Sequence, residues 1–293
     1  MINFKGTLKF LVSFLLLFAV LLMQFSFFIS GKVLNGDFYK NTLNKNDYFQ
    51  YMRKDIDFGF KNLSMITSIP EETFTNSVSN DAIIELANKN ISSAEGYMKY
   101  TNQYIDNKID TAMIYSNIEK YAQDNNIKVD EALKNQLLAV SKEAGNIINN
   151  HTILFNITTV DKYPQFQSFR QLLYSLYNSR IISVIATLLL LTLLVFFNKK
   201  TPSKIFLWRA FSFIPASMIT LVASILALYY KIPNRFAIDN AYLKVALRDI
   251  SLGYINYFVV TGLIILLIGI CCTGVYRYLS IKEYNTSENG NLQ

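Results

Sequence analysis

Four long apolar runs constrain the fold of this chain more than any other feature of its sequence. Each has about twenty residues, the length that a helix needs to cross a hydrocarbon core of ~30 Å. One run lies near the N-terminus and three lie in the C-terminal third. The runs are Phe10–Ile29, Ile181–Phe197, Ile205–Tyr230 and Gly253–Tyr276. The sequence therefore predicts a multi-pass protein of the cell membrane that crosses the lipid bilayer four times.

Charge is distributed unevenly along the chain. The segment 31–178 has 15 lysines and arginines against 17 acidic residues, whereas the ends of the apolar runs are basic. Those basic residues are Lys5, Lys9, Lys199, Lys200, Lys204, Arg209, Arg277 and Lys282. Because lysine and arginine are enriched in cytoplasmic loops, we expect both termini in the cytoplasm and segment 31–178 outside it. Since this distribution accounts for the net charge of +7, no nucleic-acid partner is expected.

These patterns predict four regions along the chain. The first apolar run is too long for a cleaved signal peptide, and no small-residue cleavage site follows it, which indicates an uncleaved signal anchor. The predicted regions are a cytoplasmic tail with the signal-anchor helix at 1–30, an extracytoplasmic domain at 31–178, a three-helix membrane region at 179–283 with an outer loop at 231–252, and a cytoplasmic tail at 284–293.

The polar segment has the periodicity of helices, which predicts an all-α fold. Between Asp47 and Leu63, apolar residues recur at intervals of three and four and so occupy one face of a helix. Ser68 precedes Glu71 by three residues, a pattern typical of a capped helix start. Asp130 predicts the start of another helix.

Three further expectations concern where the predicted helices end and where they lie. A break is expected at Asn149-Asn150. No glycine or proline lies between Pro164 and Phe197, so residues from Phe166 to Phe197 should form one helix. The outer loop 231–252 has a helical pattern of its own, and this helix either lies in the headgroup region or docks on the outer domain.

Few residues are candidates for chemistry. His151 is the only histidine and is expected in a loop or at a helix cap, since no second histidine could share a metal with it. Glu71 and Glu72 fit the first turn of a helix, where the macrodipole favours acidic residues. Cys271 and Cys272 lie in the last apolar run and cannot easily pair with each other. We therefore assign no catalytic, cofactor-binding or metal-binding residue, and we expect no cofactor.

Three short stretches of the sequence resemble a group of uncharacterised four-span membrane proteins of clostridia and other low-GC Gram-positive bacteria. They are Gly36-Asp37-Phe38-Tyr39, Asp47-Tyr48-Phe49 and Ser68-Ile69-Pro70-Glu71-Glu72-Thr73-Phe74. The resemblance implies a first span, a helical outer domain and further spans, and it implies no activity.

Two characterised families have a similar layout of spans. Permease-like subunits of the cell-division and MacB type resemble this chain in having an outer domain between spans one and two. Their long cytoplasmic connection to an ATPase is here reduced to Asn198–Lys204. Lipoprotein intramolecular transacylases also have four spans, but the residues after His151 depart from their His-x-x-Asp-Val motif.

The sequence favours a protein that is not an enzyme. We expect its helical outer domain to bind a membrane or envelope protein or a surface polymer. The alternatives are a permease-like subunit that works with a separate ATPase and a membrane acyltransferase that acts on lipid.

Overall fold

The computed structural model describes residues 4–45 and 47–290, and these residues form helices and connections without any strand. The ends of the predicted tails, residues 1–3 and 291–293, lie outside the described residues. The helices are α1 (Phe4–Phe28), α2 (Gly36–Asn44), α3 (Tyr48–Thr67), α4 (Glu71–Thr75), α5 (Asn80–Met98), α6 (Ala112–Asp124), α7 (Glu131–Thr152), α8 (Ile157–Val160), α9 (Pro164–Phe197), α10 (Ser203–Tyr229) and α11 (Ala241–Gly290). The all-α class predicted from the sequence is confirmed.

The chain forms two compact units. The span unit contains residues 4–34, 172–235 and 251–290, and the polar unit contains residues 35–171 and 236–250 apart from residue 46. The main segment of the polar unit falls inside the range 31–178 that the charge pattern delimits.

Four helices among the described residues are long and apolar enough to cross a membrane, and the larger part of each belongs to the span unit. They are Gly6–Val33, Pro164–Phe197, Ser203–Tyr229 and Ala241–Asn285. The chain is therefore built as a multi-pass membrane protein. Its apolar core in this unit brings Leu16 and Val20 of α1 together with Leu194, Ala216 and Ile265 of the other three helices.

Small residues bring helices α10 and α11 close together. A Cβ atom on Gly262 would lie 2.8 Å from Leu221 Cγ, and one on Gly269 would lie 2.7 Å from Ile214 Cγ1. Close approach through small residues is typical of membrane helix pairs.

The polar unit has a core of large side chains. Tyr48, Met52, Ile56 and Phe60 follow one face of α3 and are almost completely buried. Phe74 of α4 stacks on Phe60 with ring centroids 5.9 Å apart. Burial of one such side chain is worth about 1.5–3 kcal/mol, so this apolar stripe accounts for much of the stability of the unit.

Of the two capped helix starts predicted for the polar unit, one is confirmed and one is wrong. Asp130 caps α7 as expected, because its Oδ1 accepts a hydrogen bond of 2.8 Å from the N–H of Leu133. The capping role predicted for Ser68 is wrong, since Ser68 ends α3 in a left-handed conformation (φ 59°) and its N–H donates to Ser64 O. Pro70 takes the capping position of α4 instead.

The predicted break at Asn149-Asn150 is also wrong, because α7 continues to Thr152. Asn149 remains helical while its side chain accepts a hydrogen bond of 2.8 Å from the N–H of Ile109. A tertiary contact thus uses the asparagine side chain that would otherwise compete with the helix.

Helices α9 and α11 are longer than the apolar runs within them. The helix expected between Phe166 and Phe197 is present as Pro164–Phe197. In the loop 231–252, the helical pattern becomes the first turns of α11. There Tyr242 packs on Tyr48, with ring centroids 5.8 Å apart, and Ala246 and Ile250 are buried. These first turns of α11 therefore pack within the polar unit.

Candidate ligand-binding groove

A polar groove of about 780 Å³ follows helix α5 in the polar unit. One wall is a face of α5 with Asn88, Ser92 and Ser93, and the other is the connection 101–111 between α5 and α6. The lining residues are Lys40, Asp81, Ile84, Glu85, Asn88, Lys89, Ser92, Ser93, Asn102, Gln103, Ile105 and Asn107. Six of these twelve residues carry an amide or a hydroxyl, four are charged and two are isoleucines.

A buried asparagine of α5 holds the second wall in place. Asn90 is 4% exposed, and its Oδ1 accepts a hydrogen bond of 3.0 Å from the N–H of Asn107. Its Nδ2 donates to the carbonyl of Asn107 at 3.3 Å. Ser93 Oγ accepts from the N–H of Ile105 at 2.7 Å. Because a buried amide that loses its partners is costly, these bonds fix the position of the connection against α5.

Two polar oxygens near the groove have no hydrogen-bond partner among the described residues. They are Asn88 Oδ1, on the groove wall, and Asp106 Oδ1, on the connection, and both atoms are buried. Nearly all buried polar atoms of folded proteins find a partner. Because both atoms have almost no contact with solvent, neither is open to a ligand in the groove.

Charge does not dominate the groove, because Lys40 and Lys89 balance Asp81 and Glu85. Lys89 Nζ lies 2.7 Å from Glu85 Oε1. The hydrogen bond and positive charge of Lys89 lower the pKa of Glu85, so this carboxylate stays ionised near neutral pH. An arrangement of this kind suits an uncharged, hydrogen-bonding ligand better than a polyanion or a polycation.

A tyrosine cluster borders the same connection. Burial and the nearby Asp106 carboxylate raise the pKa of Tyr104. The ring of Tyr104 meets that of Tyr97 edge to face, and Tyr97 donates a hydrogen bond to Asp161 Oδ1. Both phenols are therefore neutral, and they act as hydrogen-bonding and apolar surfaces rather than as bases.

The structure places His151 in the last turn of α7, not in the loop or cap expected from the sequence. Its Nδ1 lies 2.7 Å from the carbonyl oxygen of Ile147. Its ring is 5.6 Å from that of Tyr242, measured between centroids. The Nδ1 contact fits the tautomer that carries its proton on Nδ1, which leaves Nε2 as the basic nitrogen.

The remaining sequence candidates lie apart from the groove lining. Glu71 and Glu72 form the first turn of α4, the position that the helix dipole favours. Cys271 and Cys272 have free thiols on α11. Over the described residues, no group of three or more His, Cys, Asp or Glu side chains could hold a metal ion.

Sequence reasoning did not find the groove residues. Asn90, Ser93 and Asn107 belong to residue types that are common throughout this chain, so no local pattern distinguishes them. The stretch 101–111, which lacks helical periodicity between two periodic segments, was the available indication that α5 and α6 are joined by an extended connection.

Comparisons of the chain with known protein families, with curated proteins and with solved structures find no match.

Proposed function

We propose that this chain is a membrane-anchored binding protein whose polar unit takes an envelope partner, a protein or a surface polymer, into the groove along α5. The observation that carries the proposal is the groove wall on α5, where the amide residue Asn88 and the hydroxyl residues Ser92 and Ser93 line one side. A groove of about 780 Å³ has the size of typical ligand sites, and its balanced charges favour recognition by hydrogen bonding.

A binding assay with the whole protein in lipid nanodiscs tests this function. Envelope fragments from cells that naturally carry the protein are sedimented with wild type, with Ser92→Trp and with Lys142→Trp. Ser92 is exposed on the groove wall, so a tryptophan there fills part of the groove. Lys142 is exposed on α7 and outside the groove lining, and it receives the same substitution as a control.

We expect Ser92→Trp to weaken retention about tenfold, equivalent to the loss of one or two net hydrogen bonds, and Lys142→Trp to behave as wild type. Retention of Ser92→Trp at the wild-type level, or the absence of any retention by wild type, would contradict the proposal.

The proposed topology has both termini in the cytoplasm and residues 31–178 outside the cell membrane, with the first span as an uncleaved signal anchor. The support for it is the excess of basic residues at the ends of the apolar runs. Cysteines are introduced at Lys89 or Asn285 in a background that lacks Cys271 and Cys272. An impermeant thiol reagent should label the Lys89→Cys variant in intact cells. Labelling of the Asn285→Cys variant under the same conditions would contradict the proposed topology.

A membrane acyltransferase is the second candidate, because the rings of His151 and Tyr242 lie 5.6 Å apart between centroids in the polar unit. In such an enzyme His151 would act as the general base, which must lie within hydrogen-bond reach or one water of the proton that it takes. If the chain acylates lipid, His151→Gln should abolish acyl transfer from radiolabelled phospholipid in nanodiscs. Unchanged transfer would remove this candidate.

The permease-like alternative has less support, because α9 ends at Phe197 and α10 begins at Ser203. The short connection leaves little chain for contact with an ATPase between these spans. Co-purification of an ATPase in mild detergent would revive this function.

A further inference from the structure

The connection between α5 and α6 is an extended segment with one hydrogen-bonded edge. Residues 103–110 have no helical turn, and every second N–H from 105 to 109 is bound by a side chain of α5 or α7. The donors and acceptors are Ile105 with Ser93 Oγ (2.7 Å), Asn107 with Asn90 Oδ1 (3.0 Å) and Ile109 with Asn149 Oδ1 (2.8 Å). Since the N–H groups of residues two apart point to the same edge of an extended chain, these bonds occupy one edge of the segment.

The opposite edge belongs to Tyr104, Asp106 and Lys108. Their N–H and C=O groups make no hydrogen bond to any described residue. None of the residues 101–111 is buried. Side-chain contacts agree with the period of two, because Lys108 Nζ lies 3.9 Å from Asp106 Oδ2 on the same face. The segment therefore presents an unpaired strand edge at the protein surface, a known template for pairing with another chain.

We infer that this edge receives an extended segment of a partner polypeptide as an added strand, an inference that rests on the proposed binding function. Backbone donors and acceptors repeat along the edge at about 6.7 Å, twice the rise of a strand residue. A second extended polypeptide has this same repeat, and main-chain bonds of this kind provide affinity in strand addition. Because the side chains of Gln103, Ile105 and Asn107 line the groove, every second side chain of the added strand lies on the groove side.

The other face of the segment defines a preferred ligand sequence. Residues directly opposite each other in an antiparallel pair are favoured when their charges are opposite or when an aromatic ring meets a β-branched side chain. Lysine is therefore preferred opposite the acidic Asp106. Glutamate is preferred opposite Lys108, and valine opposite Tyr104. An antiparallel ligand then has the order Glu-x-Lys-x-Val from its N-terminus.

The probe is the synthetic peptide Thr-Glu-Thr-Lys-Thr-Val-Thr, titrated to millimolar concentration against the whole protein in nanodiscs. In the expected register, the N–H groups of its Glu, Lys and Val face the edge. Methylation of these three nitrogens should weaken binding at least about tenfold, since each lost hydrogen bond is worth several-fold in affinity. The matched control carries its methyl groups on the nitrogens of the three threonines that directly follow Glu, Lys and Val. These nitrogens face away from the edge, so their methylation should leave binding unchanged.

Hydrogen exchange of the same complexes locates the peptide. Saturation should slow exchange at the amides of Tyr104, Asp106 and Lys108, while the amides of Ile105 and Asn107 are protected already without peptide. Exchanging the charges by Asp106→Lys with Lys108→Glu should weaken binding about threefold. A peptide with Glu and Lys exchanged should restore the affinity.

Absence of binding at millimolar peptide, or equal weakening by both methylation patterns, would overturn the strand addition. If envelope fragments still bind wild type and not Ser92→Trp in that case, the groove function stands and its ligand is a non-peptide polymer. Loss of envelope binding as well as peptide binding would remove both proposals.

Discussion

The two units of this protein are both helical, but their helices are held together by different side chains. In the polar unit, large side chains such as Phe60 and Phe74 fill the core. In the span unit, hydroxyl pairs and glycines contribute at the helix contacts, as where Ser13 Oγ lies 2.9 Å from Ser212 Oγ. Water drives apolar side chains together in the first unit, whereas lipid tails are as apolar as leucine and provide no such force in the second.

The largest expected effect removes an aromatic side chain from the polar unit. Phe60→Ala should lower the free energy of unfolding by about 3–5 kcal/mol, because it opens a cavity in the core, where Phe60 is wholly shielded from water. Urea unfolding followed by hydrogen exchange of α3 measures this loss.

Two variants sharpen the comparison with Phe60→Ala. Phe58→Ala, on the same helix at 64% exposure, should change the stability by about 0.5 kcal/mol or less. Leu16→Ala in the core of the span unit should cost less than Phe60→Ala, since an unfolded leucine in lipid remains in an apolar medium. An equal loss for Leu16 and Phe60 would break the comparison between the units.

The second prediction adds volume where α10 and α11 approach each other. Gly269→Leu should destabilise the span unit by about 3 kcal/mol, at the upper end for overpacking, because Ile214 N lies only 3.2 Å from the Cβ position. Gly274→Leu is the matched control, since nothing lies within 4 Å of its Cβ position. Trp208 is the single tryptophan of the chain, so its emission during denaturation in detergent micelles reports on this unit. Similar midpoints for both variants would contradict the close contact.

The third prediction concerns Arg53, whose guanidinium group bonds the backbone just before α5 begins. Arg53 donates to the carbonyls of Val78 and Thr75 at 2.9 and 3.0 Å and pairs with Asp57 at 2.8 Å. Arg53→Lys should cost about 2 kcal/mol, because an ammonium group cannot reproduce the planar fork of the guanidinium. Urea midpoints compare it with Arg235→Lys at an exposed site, which should be neutral. A neutral Arg53→Lys would show that packing alone holds this region of the polar unit.

The smallest effect is expected for a hydroxyl pair of the span unit. Each hydroxyl has one proton, which it donates either to the other hydroxyl or to a backbone carbonyl of the neighbouring helix, at 2.8 Å from Ser13 and 2.7 Å from Ser212. A double-mutant cycle with Ser13→Ala and Ser212→Ala should give a coupling energy of about 0.6 kcal/mol, the average for interhelical hydrogen bonds in membranes. A coupling above about 2 kcal/mol would mean that polar bonds rather than close packing hold α1 against α10.

Sequence patterns predicted the elements of this fold better than their contacts. The apolar runs, the α3 stripe from Tyr48 to Leu63 and the Asp130 cap all depend on residues close in sequence, so their periodicity or spacing is enough to identify them. Helix α2 was not predicted, because its nine residues include few apolar positions. The capping role predicted for Ser68 was wrong, because this residue ends α3. The break predicted at Asn149 was wrong, because its side chain bonds Ile109 instead of competing with its own helix.

The sequence by itself determined that the chain is helical and that four of its segments are suited to a bilayer, because length and hydropathy act locally. Only the tertiary structure decided where polar side chains converge. Asn90, Ser93 and Asn149 come from α5 and α7, and they meet the segment 103–110 through hydrogen bonds across as many as 40 residues of chain. Such bonds depend on the folded path of the backbone, and asparagine and serine leave no periodic trace of it in the sequence.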